Sequence, residues 1–203
     1  AVAGGFARLS LAGEILVEAR APIVMIGDVP VAVPPGVFLQ AVVEAEVALT
    51  ERVIAGVGKA KKIADLFSGV GTFALRLAKT ADVRAVELEG PALTALDRAW
   101  RQTPGLKRIT IEGRDLNRRP VFAHELKGFD AVVFDPPRDG AAPQAKELAQ
   151  SGVPVIVAVS CNPTTFARDA RYLLDKGYKI GPVEPVDQFL FTHHVELVAV
   201  FRK

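Results

Sequence analysis

The sequence predicts an open, mostly parallel α/β sheet carrying a small β-rich piece at its N-terminus. Two observations predict the sheet. From Lys59 onward short apolar runs alternate with helix-patterned stretches, and three of those helices open on a proline, which suits a first turn. A third observation marks off the N-terminal piece: residues 1–35 are punctuated by Gly and Pro and rich in Val and Ile, and the texture changes after Pro34-Pro35-Gly36. We therefore expect two units, residues 1–35 and residues 36–203. A chain of 203 residues that is 50% hydrophobic and 24% charged holds the material for one substantial core and is not generally disordered.

In order along the chain, residues 14–18, 22–26 and 29–33 read as strands or a hairpin. Between residues 40 and 56, Val43, Val47 and Ile54 recur at helical spacing, while Glu44, Glu46, Glu51 and Arg52 supply the polar face. Central strands are expected at residues 62–66, 83–87, 108–112, 129–134 and 153–160, with helices beginning near Gly71, Pro91, Pro143 and Pro163. Residues 178–183 and 195–201 are expected to add edge strands.

Composition excludes several classes. No apolar run approaches the roughly 20 residues that span a bilayer, and the N-terminus lacks a basic region followed by an apolar signal core. A single cysteine, Cys161, forbids an internal disulfide framework and any all-cysteine metal or iron–sulfur site, so a reducing, cytoplasmic setting is expected. With 25 Lys+Arg against 23 Asp+Glu, the net charge of +2 does not by itself identify a nucleic-acid partner. The one methionine is Met25 and residue 1 is Ala, which leads us to expect a fragment of a longer protein.

In open α/β sheets ligands bind beyond the carboxyl ends of the strands. Asp65-Leu-Phe-Ser-Gly-Val-Gly-Thr-Phe73 follows the first central strand, where Gly69 and Gly71 let the backbone turn tightly and approach a ligand. Taken alone, Gly69-Val-Gly71-Thr-Phe-Ala74 also fits the dinucleotide fingerprint G-x-G-x-x-A. Asp65 argues against a dinucleotide, because its carboxylate would stand near a pyrophosphate. A sulfonium cofactor such as S-adenosylmethionine has no phosphate and carries positive charge, which suits that carboxylate. Glu87, ending the second strand, is placed for two ribose hydroxyls, and Asp115, after the third, for an adenine amino group. Each acid singly also fits a helix cap or a solvated loop, but three acids after three successive strands favour one shared ligand site.

Phe134-Asp-Pro-Pro-Arg138-Asp-Gly140 follows the fourth strand, and its paired prolines hold Asp135 in a defined direction, suited to a planar amine or base. The fifth strand delivers Ser160-Cys161-Asn-Pro163. A mid-strand cysteine would read as a small core residue. Cys161 instead sits where the strand stops and a proline-started helix begins, a position expected to lower its thiol pKa and open it to the cleft as a nucleophile. Glu196, between Val195 and Leu197 on an expected strand, reads as a positioned base. His193 and His194 point to opposite faces if they lie on a strand, and no metal site is expected.

Together, Asp65-Leu-Phe-Ser-Gly-Val-Gly-Thr-Phe73, Asp135-Pro-Pro-Arg138, Ser160-Cys-Asn-Pro163 and His194-Val-Glu196 resemble the RNA uracil-5 methyltransferase family, in order from about Val33 to the C-terminus. The resemblance implies a Rossmann-like class I S-adenosylmethionine-dependent methyltransferase sheet, and formation of 5-methyluridine in transfer or large-subunit ribosomal RNA. Pro35-Gly-Val-Phe-Leu-Gln40 resembles the family's Phe-x-Gln segment, which implies that Gln40 contacts the cofactor or the target base. By the same resemblance Phe67, Thr72, Glu87, Asp115 and Asp135, with Asp65, Gly69 and Gly71, line the cofactor and base site. Cys161 is then the nucleophile, Glu196 the base, and Arg138 a substrate contact beside Gln40 and Asp135. The implied cofactor is S-adenosylmethionine, with no metal or iron–sulfur cluster in this chain. The implied partner is RNA, ribosomal ahead of transfer, with no membrane and a monomeric chain. Arg114, Arg118, Arg119, Arg138 and Arg168 are candidates for phosphate contact.

The sequence departs from the family at Ser68, where Cys is frequent, and at Ala41-Val42, where Asn often follows the Gln. The upstream oligonucleotide-binding barrel and cluster-binding cysteines of many members are not in these residues. The rival readings are a methyltransferase acting on cytosine C5 or another substrate, a nicotinamide-dependent oxidoreductase resting on the glycine fingerprint alone, and a non-catalytic RNA-binding remnant.

Overall fold

The structure is a computed structural model and describes residues 4–188 and 195–203. Two antiparallel hairpins come first: β1 (Arg8–Leu11) with β2 (Glu14–Glu18), then β3 (Ile23–Ile26) with β4 (Val29–Ala32). The first strand was not anticipated, its Arg-Leu-Ser-Leu run being too short and mixed to signal itself. Ile26, Val29 and Val31 are buried in the same apolar cluster as the sheet that follows, whereas Leu9, Leu11, Ile15 and Leu16 of the first hairpin are exposed.

Helix α1 (Val43–Val57) leads into an alternating series: β5 (Lys62–Leu66), α2 (Ala74–Leu77), β6 (Asp82–Glu87), α3 (Gly90–Gln102), β7 (Ile109–Gly113), β8 (Ala131–Phe134), α4 (Ala142–Ser151), β9 (Val155–Ser160), α5 (Pro163–Asp175), β10 (Lys179–Val186) and β11 (Glu196–Arg202). Prolines stand in the first turns of α3, α4 and α5, as their missing amide hydrogens permit. Among the described residues these strands form one seven-stranded sheet in the order β10-β11-β9-β8-β5-β6-β7. β9, β8, β5, β6 and β7 run parallel, and β11 is antiparallel to both its neighbours.

Successive residues of each central strand feed opposite faces. Ile63, Val83, Ala85, Val133, Val157 and Val159 join the cluster on one side, and Ala64, Leu66, Val86, Val132, Phe134 and Ile156 the cluster on the other. Burial on both faces is what makes the strands read as continuous apolar runs. The sequence placed the final run at an edge, but β11 lies inside the sheet with Val198, Ala199 and Phe201 buried, and β10 forms the rim. β10 suits an edge through its prolines, Pro182 and Pro185, and an irregular register between Ile180 and Val183. The helix expected near Gly71 shrinks to the single turn of α2, because the loop before it takes up the intervening residues.

Candidate active site

The chain leaves β5 through β6 to β7 on one side and returns to β8 on the other, so the order of strands reverses between β5 and β8. Ligands bind in α/β sheets at such a reversal, beyond the strand ends. A cleft of about 300 Å³ opens there. Of the expected residues, Gln40, Phe67, Gly69, Glu87 and Asp115 line it, and so do Asp135, Cys161 and Glu196. Asp65, Gly71, Thr72 and Arg138 do not.

Asp65 lies beneath the glycine loop, fully buried, and among the described residues neither of its carboxyl oxygens has a hydrogen-bond partner. Burial, then the charges of Asp135 and Glu87, raise its pKa well above the ordinary carboxylate range. The Ala74 amide offsets a little of this without reaching hydrogen-bond geometry. Gly71 gives the tight turn expected of it, with φ of 97° and its amide on the Ser68 carbonyl. What its missing Cβ makes room for is protein rather than ligand, because a methyl group there would run into Leu96 and Leu75. Thr72 contributes its carbonyl to Arg76 Nη1 at 3.0 Å.

Phe67 is the one non-glycine residue of the loop with positive φ, 64°, a conformation that costs about 1 kcal/mol or more and persists only where its surroundings enforce it. Its amide donates to the Val86 carbonyl, and its ring stands edge-on to Phe134 at 6.0 Å between centroids. Glu87 reaches back to the loop: Oε2 accepts from the Gly69 amide at 2.9 Å, and Oε1 from the amides of Leu88 and Glu89. Asp115 partly fulfils the capping alternative, with Oδ1 accepting from the amides of Asn117 and Arg118.

Asp135 opens onto the cleft but sits deep among protein atoms. Burial first, then Glu196 and Glu87, push its pKa up to about 8. Glu196 is 5% exposed and also raised by burial, with a hydrogen bond from Gln188 opposing the shift. Cys161 corrects an expectation. Desolvation pushes its thiol above the ordinary range, the charges of Glu196 and Asp135 add to this, and Arg138 and the local backbone only partly offset it. A helix start favours a thiolate, yet poor solvation and the two acids Glu196 and Asp135 outweigh that field.

The turn holding Cys161 is rigid for reasons the sequence only half disclosed. Asn162 caps α5, its Oδ1 accepting from the amides of Thr164 and Thr165, while its Nδ2 donates to the Arg138 carbonyl at 3.1 Å. Thr165 Oγ1 donates to that same carbonyl, and Asp169 accepts from the Ala141 amide at 2.8 Å. The Asp135-Pro-Pro loop is thereby fastened to the helix that starts beside Cys161. Gly140 makes this possible at φ of 68°, where any side chain would collide with Arg168 and Asp169. An Asn before a helix-starting Pro was the legible signal for the cap.

Two phosphate candidates are withdrawn. Arg114 is engaged with Glu112 and Glu125, and Arg168 with Asp169 and the Asp139 carbonyl. Arg118, Arg119 and Arg138 are exposed. His193 and His194 lie outside the described residues. Among the described residues no group of three or more His, Cys, Asp or Glu side chains is arranged to hold a metal ion, and no helix is long and apolar enough to cross a membrane. The sequence reading assigned no role to Phe38 and Leu88, exposed apolar side chains that line the cleft, or to Gln188. The signal for Leu88 was its place directly after a strand-end acid; nothing local marked Gln188.

The reversal of strand order, the glycine loop and the acids after successive strands are those of a class I S-adenosylmethionine-dependent methyltransferase fold. Residues 105–203 match the family model described as tRNA (uracil-5-)-methyltransferase. An uncharacterized RNA methyltransferase of Mesorhizobium japonicum is 56% identical over 202 residues, covering 100% of this chain and 49% of the relative. The 23S rRNA (uracil(1939)-C(5))-methyltransferase RlmD of Alteromonas mediterranea is 41% identical over 144 residues, 70% of this chain and 30% of its own. The crystal structure of Pyrococcus abyssi tRNA (uracil-54, C5)-methyltransferase in complex with S-adenosyl-L-homocysteine superposes with a TM-score of 0.81 at 34% identity, covering 95% of this chain and 48% of that one. The chain belongs to the RNA (uracil-5-)-methyltransferase family. It spans about half the length of the curated relatives it matches most fully.

Proposed function

We propose that this protein binds S-adenosylmethionine in the cleft and methylates C5 of a uridine in RNA, ribosomal ahead of transfer, in the cytoplasm, with residues 36–203 as the catalytic unit. The observation that carries the reading is one cleft shared by Cys161, Glu196 and Asp135, with a buried Asp65 carboxyl close enough to feel Asp135 and without a hydrogen-bond partner among the described residues. Carboxyls whose pKa values are raised by burial and then by neighbouring carboxyls suit a cationic ligand. Asp65 and Asp135 would face its positive charge, Glu87 and Asp115 its ribose and adenine, and the exposed Leu88 its apolar ring face. When bound, S-adenosylmethionine supplies a methyl group on an electron-poor sulfonium.

The chain's own residues do the remainder. Uracil C5 is a poor carbon nucleophile until a thiolate adds to C6. Cys161 holds its proton in the carboxyl-rich cleft and gives it up to solvent water, leaving a thiolate, more readily once positive charge faces Asp135 and Glu196. Its sulfur then bonds to C6, and the electron pair of the C5–C6 double bond moves onto C5 and O4. C5 takes the methyl group. Glu196 removes the C5 proton, the double bond re-forms and the thiolate leaves. Gln40 and Asp135 hold the base in line. The base must leave its stack to reach this depth, at a cost of roughly a few kcal/mol, so a flipped or single-stranded uridine is the fitting substrate.

Cys161→Ala tests the reading. It is expected to lower formation of 5-methyluridine in unmodified RNA, followed by nucleoside mass spectrometry, by about 10⁴-fold or more. RNA carrying 5-fluorouridine is expected to trap a covalent adduct on the natural protein. A Cys161→Ala protein that still makes 5-methyluridine overturns the nucleophile.

A further inference from the structure

Residues 40–41 before α1 meet, at the cleft, two residues from the far end of the chain: Gln188 just past β10 and Glu196 opening β11. Gln188 is 6% exposed, so each of its polar atoms needs a partner within the protein. Its Oε1 accepts from the Ala41 amide at 3.3 Å. Its Nε2 donates to Gln40 Oε1 at 2.9 Å and to Glu196 Oε1 at 3.0 Å.

An amide side chain can face either way, and its neighbours decide which. The Ala41 N–H can only donate, so it must meet Gln188 Oε1. The two hydrogens of Nε2 then fall on Gln40 and Glu196. Reversal would set an NH₂ group against the Ala41 N–H and an oxygen against two acceptor oxygens, in a place with little water. Gln40 in turn has its carbonyl oxygen turned to Gln188, which leaves its NH₂ group as the end able to donate to a ligand in the cleft that Gln40 lines. Among the described residues Glu196 has Oε1 engaged, which leaves Oε2 to take a proton.

We infer that Gln188 is a positioning residue that fixes Gln40 as a donor toward a carbonyl oxygen of the target base and reserves Oε2 of Glu196 for the C5 proton. This rests on the proposed uridine chemistry and adds to it a source of specificity. A donor at Gln40 that meets O4 of uracil opposes the exocyclic amino group that cytosine carries at the same carbon. The backbone of Ala41 therefore sets the hydrogen-bond polarity of the base site through two side-chain amides.

Gln188→Met keeps the volume and removes both hydrogens. With the full natural chain, S-adenosylmethionine and unmodified total RNA as probe, its single-turnover rate should fall about 10- to 100-fold. Affinity for S-adenosylhomocysteine should stay within about twofold, reporting an intact fold. In a Gln40→Ala background most of the further loss should vanish, because the two substitutions remove one linkage. Among the described residues Asp135 and Cys161 are the titratable groups that face Glu196, and both remain, so loss of the Gln188 donor should move the acid limb of the rate to higher pH. Carbon-13 titration of the Glu196 carboxyl in RNA-free protein should show the same upward shift. Gln188→Glu, which adds a like charge, should move that titration further.

An unmoved Glu196 titration, or losses that simply add with Gln40→Ala, would overturn the inference. If the natural chain makes no 5-methyluridine while the titration still moves, the hydrogen-bond linkage stands and the uridine reading falls.

Discussion

Glu125 and Asp135 are two recessed carboxyls of this protein, and their surroundings drive them in opposite directions. Glu125 accepts hydrogen bonds from Arg114, from Arg84 and from the Phe122 amide, and its pKa is drawn down to about 2. Asp135 faces Glu196 and Glu87, and rises to about 8. The arginines beside Glu125 also hold Glu112, so β6, β7 and the turn at residues 123–126 are bound together next to the cleft that Arg114 lines. Where a carboxyl has found its cation inside the protein, the pair braces the scaffold. Where it has not, burial and neighbouring acids hold it protonated, and under the proposed function it would ionise to meet a cationic ligand.

Substitutions should separate the two kinds of carboxyl. Asp135→Asn is expected to lower methyl transfer about 100- to 1000-fold, the scale of removing one preorganised electrostatic contact. Its effect on the cofactor-free fold should be the reverse. The folded pKa of Asp135, about 8, lies above the ordinary carboxylate value near 3.8, so the native state holds more protons than the unfolded chain between those values. Stability contributed by the neutral form is present at low pH and is lost as pH climbs toward about 8. Melting temperatures should therefore decline from pH 5 to pH 8, and Asp135→Asn should flatten that slope. A slope unchanged in the variant would dissolve the contrast with Glu125.

Arg84→Met strikes the braced side. Removing one shared cation from partly buried Glu112 and Glu125 should destabilise the fold by about 1–3 kcal/mol in urea titration, discounted for their partial exposure. Glu125 is lowered in the folded state, so the stability it contributes is present above pH 4.5 and lost as pH falls toward about 2. The variant should accordingly differ most from the natural protein at neutral pH and least in acid.

The smallest effect concerns the ligand. If Asp135 ionises to meet a cation, affinity for S-adenosylmethionine should rise by about three- to tenfold from pH 6 to pH 8. Binding should release protons, detectable by calorimetry in buffers of different ionisation enthalpy. Affinity that falls over this range would argue that the carboxyls of the cleft do not answer to the ligand's charge.

Much of the site was legible because its residues stand at strand ends. Asp65, Glu87, Asp135 and Cys161 each follow or close an apolar run, and strand ends on one side of a parallel sheet converge. What escaped was partnership. Nothing in the sequence separates Arg114, drawn in by Glu112 and Glu125, from Arg138, which stays exposed. The place of Cys161 at a helix start suggested an acidic thiol, whereas burial, and then Glu196 of β11 and Asp135 just past β8, impose the opposite shift.

The sequence by itself determined the alternation of strand and helix, the glycine turn after β5, and which side chains stand at the ends of the central strands. Those depend on periodicity and on neighbours a few residues apart, which a single chain displays openly. Only the tertiary structure decided that β11 sits inside the sheet, that Asp135 is held near neutrality while Glu125 is fully charged, and that Gln188 aims Gln40. Each of these depends on atoms a few ångströms apart in space; Gln188 and Gln40 are 148 positions apart along the chain. Electrostatic and hydrogen-bond energies follow distance and solvation, and those exist only once the chain has folded.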